Sequence, residues 1–162
     1  MKSKFLPIIL LLAFAMLALT ACGSKPATIG DLPVYPGATA LQPGQDPIAD
    51  TLVQNMSQDA ALRSSLGVGG QIEQQAFRLP QGTTWDDVRS FFDTQLGDAG
   101  WKSGAGGIGG DIVSSALDAA NTGNDLFQTT LWSKGKQNLT AIRTVNPTND
   151  AEPYLILSLS TN

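Results

Sequence analysis

The sequence predicts an α+β domain, in which an antiparallel β-sheet of about four to five strands carries a helix on one face. Apolar residues recur at steps of three and four over residues 85–97, a spacing typical of an amphipathic helix. Strand-like segments at 126–132, 139–144 and 154–160 are separated by turn residues, which is typical of an antiparallel meander. The order strand, helix, short strand and three further strands therefore favours α+β.

The first half of the domain alternates breaks with short periodic segments. Pro36-Gly37 suits a type II turn. Residues 48–66 show helical spacing, and Ser57 or Asp59 could cap a second helix, so the segment is one helix or two short ones. Residues 72–79 then predict a strand.

The 85–97 segment has the best helix signals in the chain. Thr84 can cap it, and Asp87 three residues later completes a pattern like a capping box. The stripe is formed by Trp85, Val88, Phe92, Leu96 and Ala99. A glycine ends the helix at 97 or 100, and Trp101 begins a short strand.

The second half begins with a glycine-rich segment, residues 103–110, followed by a helix that starts at Asp111. The apolar side chains predicted to face inward are Ile112, Val113, Ala116, Leu117 and Ala120. Residues 133–137 predict a hairpin turn, and residues 145–153 predict a loop before the last strand.

The N-terminus has the organisation of a secretory signal peptide. Lys2 and Lys4 precede an apolar run at residues 5–19, with small residues after it. At 1.5 Å per residue this run spans about 22 Å, less than the roughly 30 Å hydrocarbon core that a transmembrane anchor must cross. An ordinary signal peptide is the nearer alternative, but it has no need of the cysteine at position 22.

Leu19-Thr20-Ala21-Cys22 resembles the lipobox of bacterial lipoproteins. The resemblance implies cleavage before Cys22, a thioether-linked diacylglycerol on its sulfur and usually a further acyl chain such as palmitate on its amine. Two or more chains make membrane anchoring durable. We therefore expect a signal peptide at 1–21, a tether at 22–31 and a single extracytoplasmic domain at 32–162, with insertions at about 47–66 and 103–125. Gly23 permits placement on an outer membrane or on the cell surface.

The composition argues against several functions. Without Lys2 and Lys4, 8 basic and 14 acidic residues remain, a net charge of −6, so nucleic acid is not an expected partner. By the same reasoning an acidic body gains nothing from anionic lipid, and the acyl chains must anchor it. There is no histidine, which removes the usual general base and zinc ligand, and the one cysteine leaves no disulfide. We expect no enzyme, no cofactor and no metal.

A second resemblance covers residues 32–102. Tyr35-Pro36-Gly37-Ala38, the helix that follows Thr84, and Gly100-Trp101 together resemble a recurrent "YPGA…GW" module of uncharacterised bacterial lipoproteins. The resemblance implies a strand, a helix and a short strand, and it carries no activity. The two helical insertions depart from that module.

Three further patterns bear on possible binding sites for a dinucleotide, for calcium and for a small ligand. Residues 104–109 match the dinucleotide fingerprint as a string, but no buried parallel strand precedes them. Residues 121–125 lack the alternating acids of a calcium loop. Trp85, Trp101 and Trp132 could line a ligand pocket or belong to the core.

The leading hypothesis for the function is a non-enzymatic protein-interaction or scaffold domain of the cell envelope. The alternative is a small-ligand module that uses the three tryptophans, and a hydrolase without histidine ranks last.

Overall fold

The computed structural model describes residues 25–65, 70–105, 110–146 and 149–162. Within them a six-stranded antiparallel sheet is accompanied by three α-helices, which confirms the α+β prediction, although the strand count exceeds the predicted four to five. In chain order these elements are β1 (Thr39–Leu41), α1 (Pro47–Ser65), β2 (Gln71–Arg78), α2 (Trp85–Asp98), β3 (Lys102–Ser103), α3 (Gly110–Asn121), β4 (Phe127–Lys134), β5 (Gln137–Asn146) and β6 (Asn149–Thr161).

The strands lie in the order β1-β2-β6-β5-β4-β3, so the last strand occupies the middle of the sheet. Leu157 of β6 lies opposite Gln75 of β2 on one side and Ala141 of β5 on the other. Because directly opposed residues of an antiparallel pair share a face, this register sorts the side chains into two layers. The short strands β1 and β3 form the two borders.

Helix α2 covers the first face, as the sequence predicts. Val88, Phe92 and Leu96 are fully buried and belong to the same core cluster as the leucines on this side of β6. The predicted cap is confirmed, because Thr84 Oγ1 accepts a hydrogen bond from Asp87 N at 3.2 Å and Asp87 Oδ2 accepts one from Thr84 N at 3.1 Å. Each satisfies an N–H that the first turn of a helix otherwise leaves free.

Helix α1 covers the second face where β2 and β6 meet. A smaller core cluster holds Tyr154 and Ile156 of β6 with Ala49 of α1, and further apolar residues of α1 pack against it. The helix is continuous, so the alternative of two short helices is wrong. Ser57 does not cap a new helix: its Oγ donates to Val53 O at 2.8 Å, one turn back.

The loop predicted at residues 145–153 is also wrong. β5 continues to Asn146 and β6 starts at Asn149, with Val145 opposite Pro153 and a register shift beside it. Pro153 is buried, and its carbonyl accepts a hydrogen bond from Leu79 N at 2.9 Å. Several turn-forming residues of this segment therefore lie within the paired strands of a long hairpin, because pairing between β5 and β6 extends both strands into the segment.

The prediction that the apolar residues of α3 face inward is wrong for four of the five. Ile112, Val113, Ala116 and Ala120 are exposed, whereas Leu117 is half-buried. Leu117 shares the side turned toward the sheet with Gly110, which is buried, and with Ser114 and Asn121, which are half-buried. This orientation is set by polar contacts of the helix with α2 and β4.

The folded domain also starts before the predicted boundary at residue 32. Ala27 N donates to Gln137 Oε1 at 2.9 Å, and Gln137 Nε2 donates to Ala27 O at 2.8 Å. Ile29 N donates to Glu73 Oε2 at 2.9 Å, at the start of a single 3-10 turn, Ile29–Asp31. Residues 27–31 therefore belong to the domain, and the predicted tether is shorter than 22–31.

A buried acid joins the start of α1 to the sheet. Asp46 Oδ2 accepts hydrogen bonds from Arg78 at 2.6 Å and from the Tyr154 hydroxyl at 2.9 Å. Its Oδ1 accepts the N–H groups of Ile48 and Ala49 in the first turn of the helix. Burial raises the pKa of the Asp46 carboxyl, but these hydrogen bonds outweigh burial, and the net effect lowers that pKa.

Asp46→Asn should lower the free energy of unfolding at neutral pH by about 2 kcal/mol, because the charged acceptor of several hydrogen bonds is lost. A lowered folded-state pKa stabilises the fold above the unfolded-state value of about 3.9, and that contribution disappears as pH falls through the folded-state pKa. Urea titrations at pH 7 and pH 3 should therefore show a difference between wild type and variant that shrinks in acid. Asp98→Asn, at an exposed site in the last turn of α2, is the control. An equal difference at both pH values would contradict this account.

Candidate functional site

The predicted lipidation site lies outside the described residues, and so does the whole predicted signal peptide, 1–21. Within the described ranges, no helix combines the length and the apolar character that a bilayer crossing requires.

The three tryptophans predicted as a ligand platform are all buried. Trp132 contacts Phe92, with ring centroids 5.7 Å apart, and its Nε1 donates to Asp93 at 2.7 Å. Trp101 N donates to Leu96 O at 2.9 Å, just after the end of α2. Trp85 stands in the first turn of α2, at the other end of the helix. The geometry therefore places the three rings in one core cluster and brings no two of them to a shared open surface.

Tryptophan fluorescence tests this arrangement in solution. Because all three indoles lie in the core, acrylamide should quench the native emission poorly, and quenching should become efficient in denaturing urea. Free N-acetyltryptophanamide in the same buffers is the reference. Efficient quenching of two or more tryptophans in the native protein would restore the ligand platform.

A cleft of about 350 Å³ lies at the end of the sheet where α2 begins. Trp85 borders it, and its Nε1 is buried without a hydrogen-bond partner among the described residues. Arg143 borders it too, and donates to Thr83 O at 3.0 Å, to Asp125 O at 3.2 Å and to Gln128 Oε1 at 3.1 Å. Burial lowers the pKa of Arg143. These contacts tie the segment before α2 to the segment before β4, which accounts for the arginine structurally.

The structure also bears on the two weak sequence motifs, the segments 104–109 and 121–125. The strand before residues 104–109 is β3, a two-residue antiparallel border strand, so the context of a dinucleotide site is missing; residues 106–109 themselves lie outside the described ranges. In the segment 121–125, Asn121 bonds the backbone of Thr129, and Asn124 Oδ1 accepts from Phe127 N at 3.0 Å. In the described part of the chain, no three side chains of the metal-binding types converge.

An exposed apolar surface is the most prominent feature that the core does not explain. We call it the α3 surface, and it comprises Ile112, Val113, Ala116 and Ala120 on α3 with Leu126 and Phe127 at the start of β4. The exposed fractions are 75% for Ile112, 43% for Val113, 67% for Leu126 and 45% for Phe127. Asn121, next to Ala120, bonds Thr129, two residues after Phe127 on the same face of β4, so the two parts adjoin.

Polar contacts hold α3 in the orientation that exposes this surface. The Asn121 side chain exchanges two hydrogen bonds with the backbone of Thr129, at 2.7 and 2.8 Å, which satisfies the open border of β4. Asp118 pairs with Arg89 of α2 at 3.0 Å. A Cβ on Gly110 would overlap the carbonyl oxygen of Ala105, so the start of the helix packs directly on backbone.

The helical wheel then places the apolar side. Ala116 and Ala120 lie about 200° around the helix from Asp118, at about 100° per residue. Since Asp118 points toward α2, these alanines face away from α2. The helix covers a strand border mainly through small and polar residues together with Leu117, and its other four apolar residues remain in solvent.

The chain matches no family model, and no curated protein and no solved structure matches it either. The resemblances to the lipobox and to the "YPGA…GW" module therefore stay predictions from the sequence.

Proposed function

We propose that this protein is a lipid-anchored lipoprotein of the bacterial cell envelope, and that its domain acts without catalysis by binding another envelope protein. The lipobox at Cys22 supports the anchoring and the extracytoplasmic location. The single structural observation that supports the role is the α3 surface. Soluble domains rarely leave large apolar side chains grouped in solvent, and such groups mark contact sites for other proteins.

The composition of the α3 surface suits a protein partner. Phe127 and Ile112 supply side chains that can fill pockets, while the neighbouring alanines let a partner approach the helix backbone closely. Lysine and arginine are absent from the six residues that define it, and charged side chains are depleted at the centres of protein interfaces. Four of its six residues also lie on one of the two insertions that set this chain apart from the module it resembles.

The alternative role, a small-ligand module using Trp85, Trp101 and Trp132, has less support. Of the three tryptophans, only Trp85 borders the cleft described above. Arg143 in that cleft already donates hydrogen bonds to protein oxygens. The indole N–H of Trp85, which has no hydrogen-bond partner among the described residues, is the one observation in favour of a bound polar ligand there.

Lipidation can be tested by growing the producing cells with an alkyne-bearing fatty acid. The wild-type protein should take up the label, and its mature N-terminal peptide should start at an acylated Cys22. Cys22→Ser should abolish labelling, whereas Ser24→Ala should keep it. A mature chain that begins elsewhere, or that lacks the acyl mass, would overturn the anchoring.

The interaction role can be tested with a photo-crosslinking amino acid placed in cells at Ile112. We expect one discrete crosslinked product, because this side chain is the most exposed large apolar residue of the α3 surface. The matched control carries the same amino acid at Gln95, an exposed residue of α2 away from the α3 surface. Mass spectrometry of the product separates a second copy from another protein. Equal, diffuse or absent products at both positions would contradict the role.

A further inference from the structure

The arginines and the lysines of the domain differ in their contacts. Beyond residue 22 the chain has four lysines: Lys25, Lys102, Lys134 and Lys136. The arginines with described side chains are all engaged, Arg78 with Asp46, Arg89 with Asp118, and Arg143 with carbonyl and amide oxygens. Among the described side chains, the lysines are therefore the main cations that can bind a partner at the surface of the domain.

All four lysines gather at the end of the sheet where the chain joins the domain. Lys102 lies opposite Ser133, and Lys134 lies opposite Gln137 across the β4–β5 turn that contains Lys136. Gln137 also holds Ala27, two residues after Lys25. Lys25, Lys102 and Lys136 are exposed, while the Lys134 ammonium donates to Ala99 O at the end of α2. We call this group the lysine end.

At the opposite end of the sheet, carboxylates outnumber the two arginines that lie there, Arg78 and Arg143. The segment before α2 is held there by Arg143, and it places Asp86 and Asp87 at this end. Asp125 and Glu152 lie on the segments that lead into β4 and the buried part of β6. Among the described side chains, the carboxylates at the lysine end are Asp31, Glu73 and Asp98, and Glu73 accepts a hydrogen bond from Ile29 N. The net charge of −6 therefore hides a polarity along the strands.

The lysine end is also the end nearest the proposed lipid. Ala27, the first residue bonded to the sheet, lies five residue steps after Cys22, and a fully extended chain of that length spans at most about 18 Å. The acyl chains thus hold this end close to the bilayer. A lysine contributes to attraction only within roughly a Debye length of about 8 Å from an anionic surface, so position matters more than the charge of the whole chain.

We propose that the lysine end docks on anionic phospholipid headgroups and holds the anchored domain with its acidic end away from the membrane. This inference rests on the proposed lipid anchoring. It replaces the expectation, drawn from net charge alone, that the domain gains nothing from anionic lipid.

Amine acetylation of the mature acylated protein on vesicles tests the orientation. On phosphatidylglycerol vesicles Lys102 and Lys136 should react about fivefold more slowly than on phosphatidylcholine vesicles, the factor that one lysine near an anionic surface supplies. High salt should remove the difference. Flotation of the same samples reports whether the protein is anchored at all.

Two double variants give the matched comparison. Lys102→Gln with Lys136→Gln should expose Lys25 and Lys134 to acetylation on phosphatidylglycerol, and it leaves the Lys134 contact with α2 in place. Asp86→Asn with Asp125→Asn, at the acidic end, should leave the protection of all four lysines unchanged. Circular dichroism verifies that both variants fold.

Each outcome is decisive. Protein that floats but is acetylated equally on both lipids overturns the docking and leaves the anchoring intact. Equal protection on both lipids also overturns it, because the contact would then be independent of headgroup charge. Protein that fails to float overturns both proposals.

Discussion

Strand β6 is buried on both faces, and the rest of the domain depends on this constraint. Leu155, Leu157 and Leu159 point into the larger core under α2, while Tyr154 and Ile156 point into the smaller one under α1. A strand in the middle of a sheet needs partners for its backbone on both sides, and β2 and β5 supply them. The two cores are thus coupled through one segment at the C-terminus, so neither layer can be complete before the last strand is in place.

The three helices are fixed by different means. An apolar stripe and a capping box position α2, so its location follows from residues within the helix. Helix α1 depends on Asp46, whose carboxylate reaches Arg78 and Tyr154 in the sheet. Helix α3 depends on small and polar residues that satisfy a strand border. Only the third arrangement leaves an apolar stripe outside the core, and for that reason the candidate interaction surface lies there.

This difference decides how much the sequence could predict. Helix α2, its cap and the α+β class were predictable, because periodicity and capping are local signals. The short strand expected at Trp101 is present as β3, one residue later, whereas β1, of three residues, is too short for alternation to be recognised, and the turn residues within 145–153 hid the long β5–β6 hairpin. The orientation of α3 was predicted wrongly because amphipathicity was taken to indicate burial. A signal did exist in Gly110 and Ser114, small residues one turn apart on the buried side, but the Asn121 contact with Thr129 is a tertiary fact that no window on the helix contains.

The net charge alone does not describe how a domain anchored in the proposed way would meet a membrane. The charge of −6 that remains without Lys2 and Lys4 describes the field far from the molecule, whereas an anchored domain would meet its membrane at contact distance, where only the nearest side chains count. The bond between Ala27 and Gln137 decides which side chains those are, because it fixes the end of the sheet from which the chain leaves. With that end toward a bilayer, the α3 surface at the β4 border would point along the membrane plane rather than into it. A partner embedded in or attached to the same membrane could then reach Ile112 and Phe127 without displacing the lysines. The proposed anchoring, the polarity of charge and the lateral apolar surface are thus mutually compatible, although they depend on separate residues.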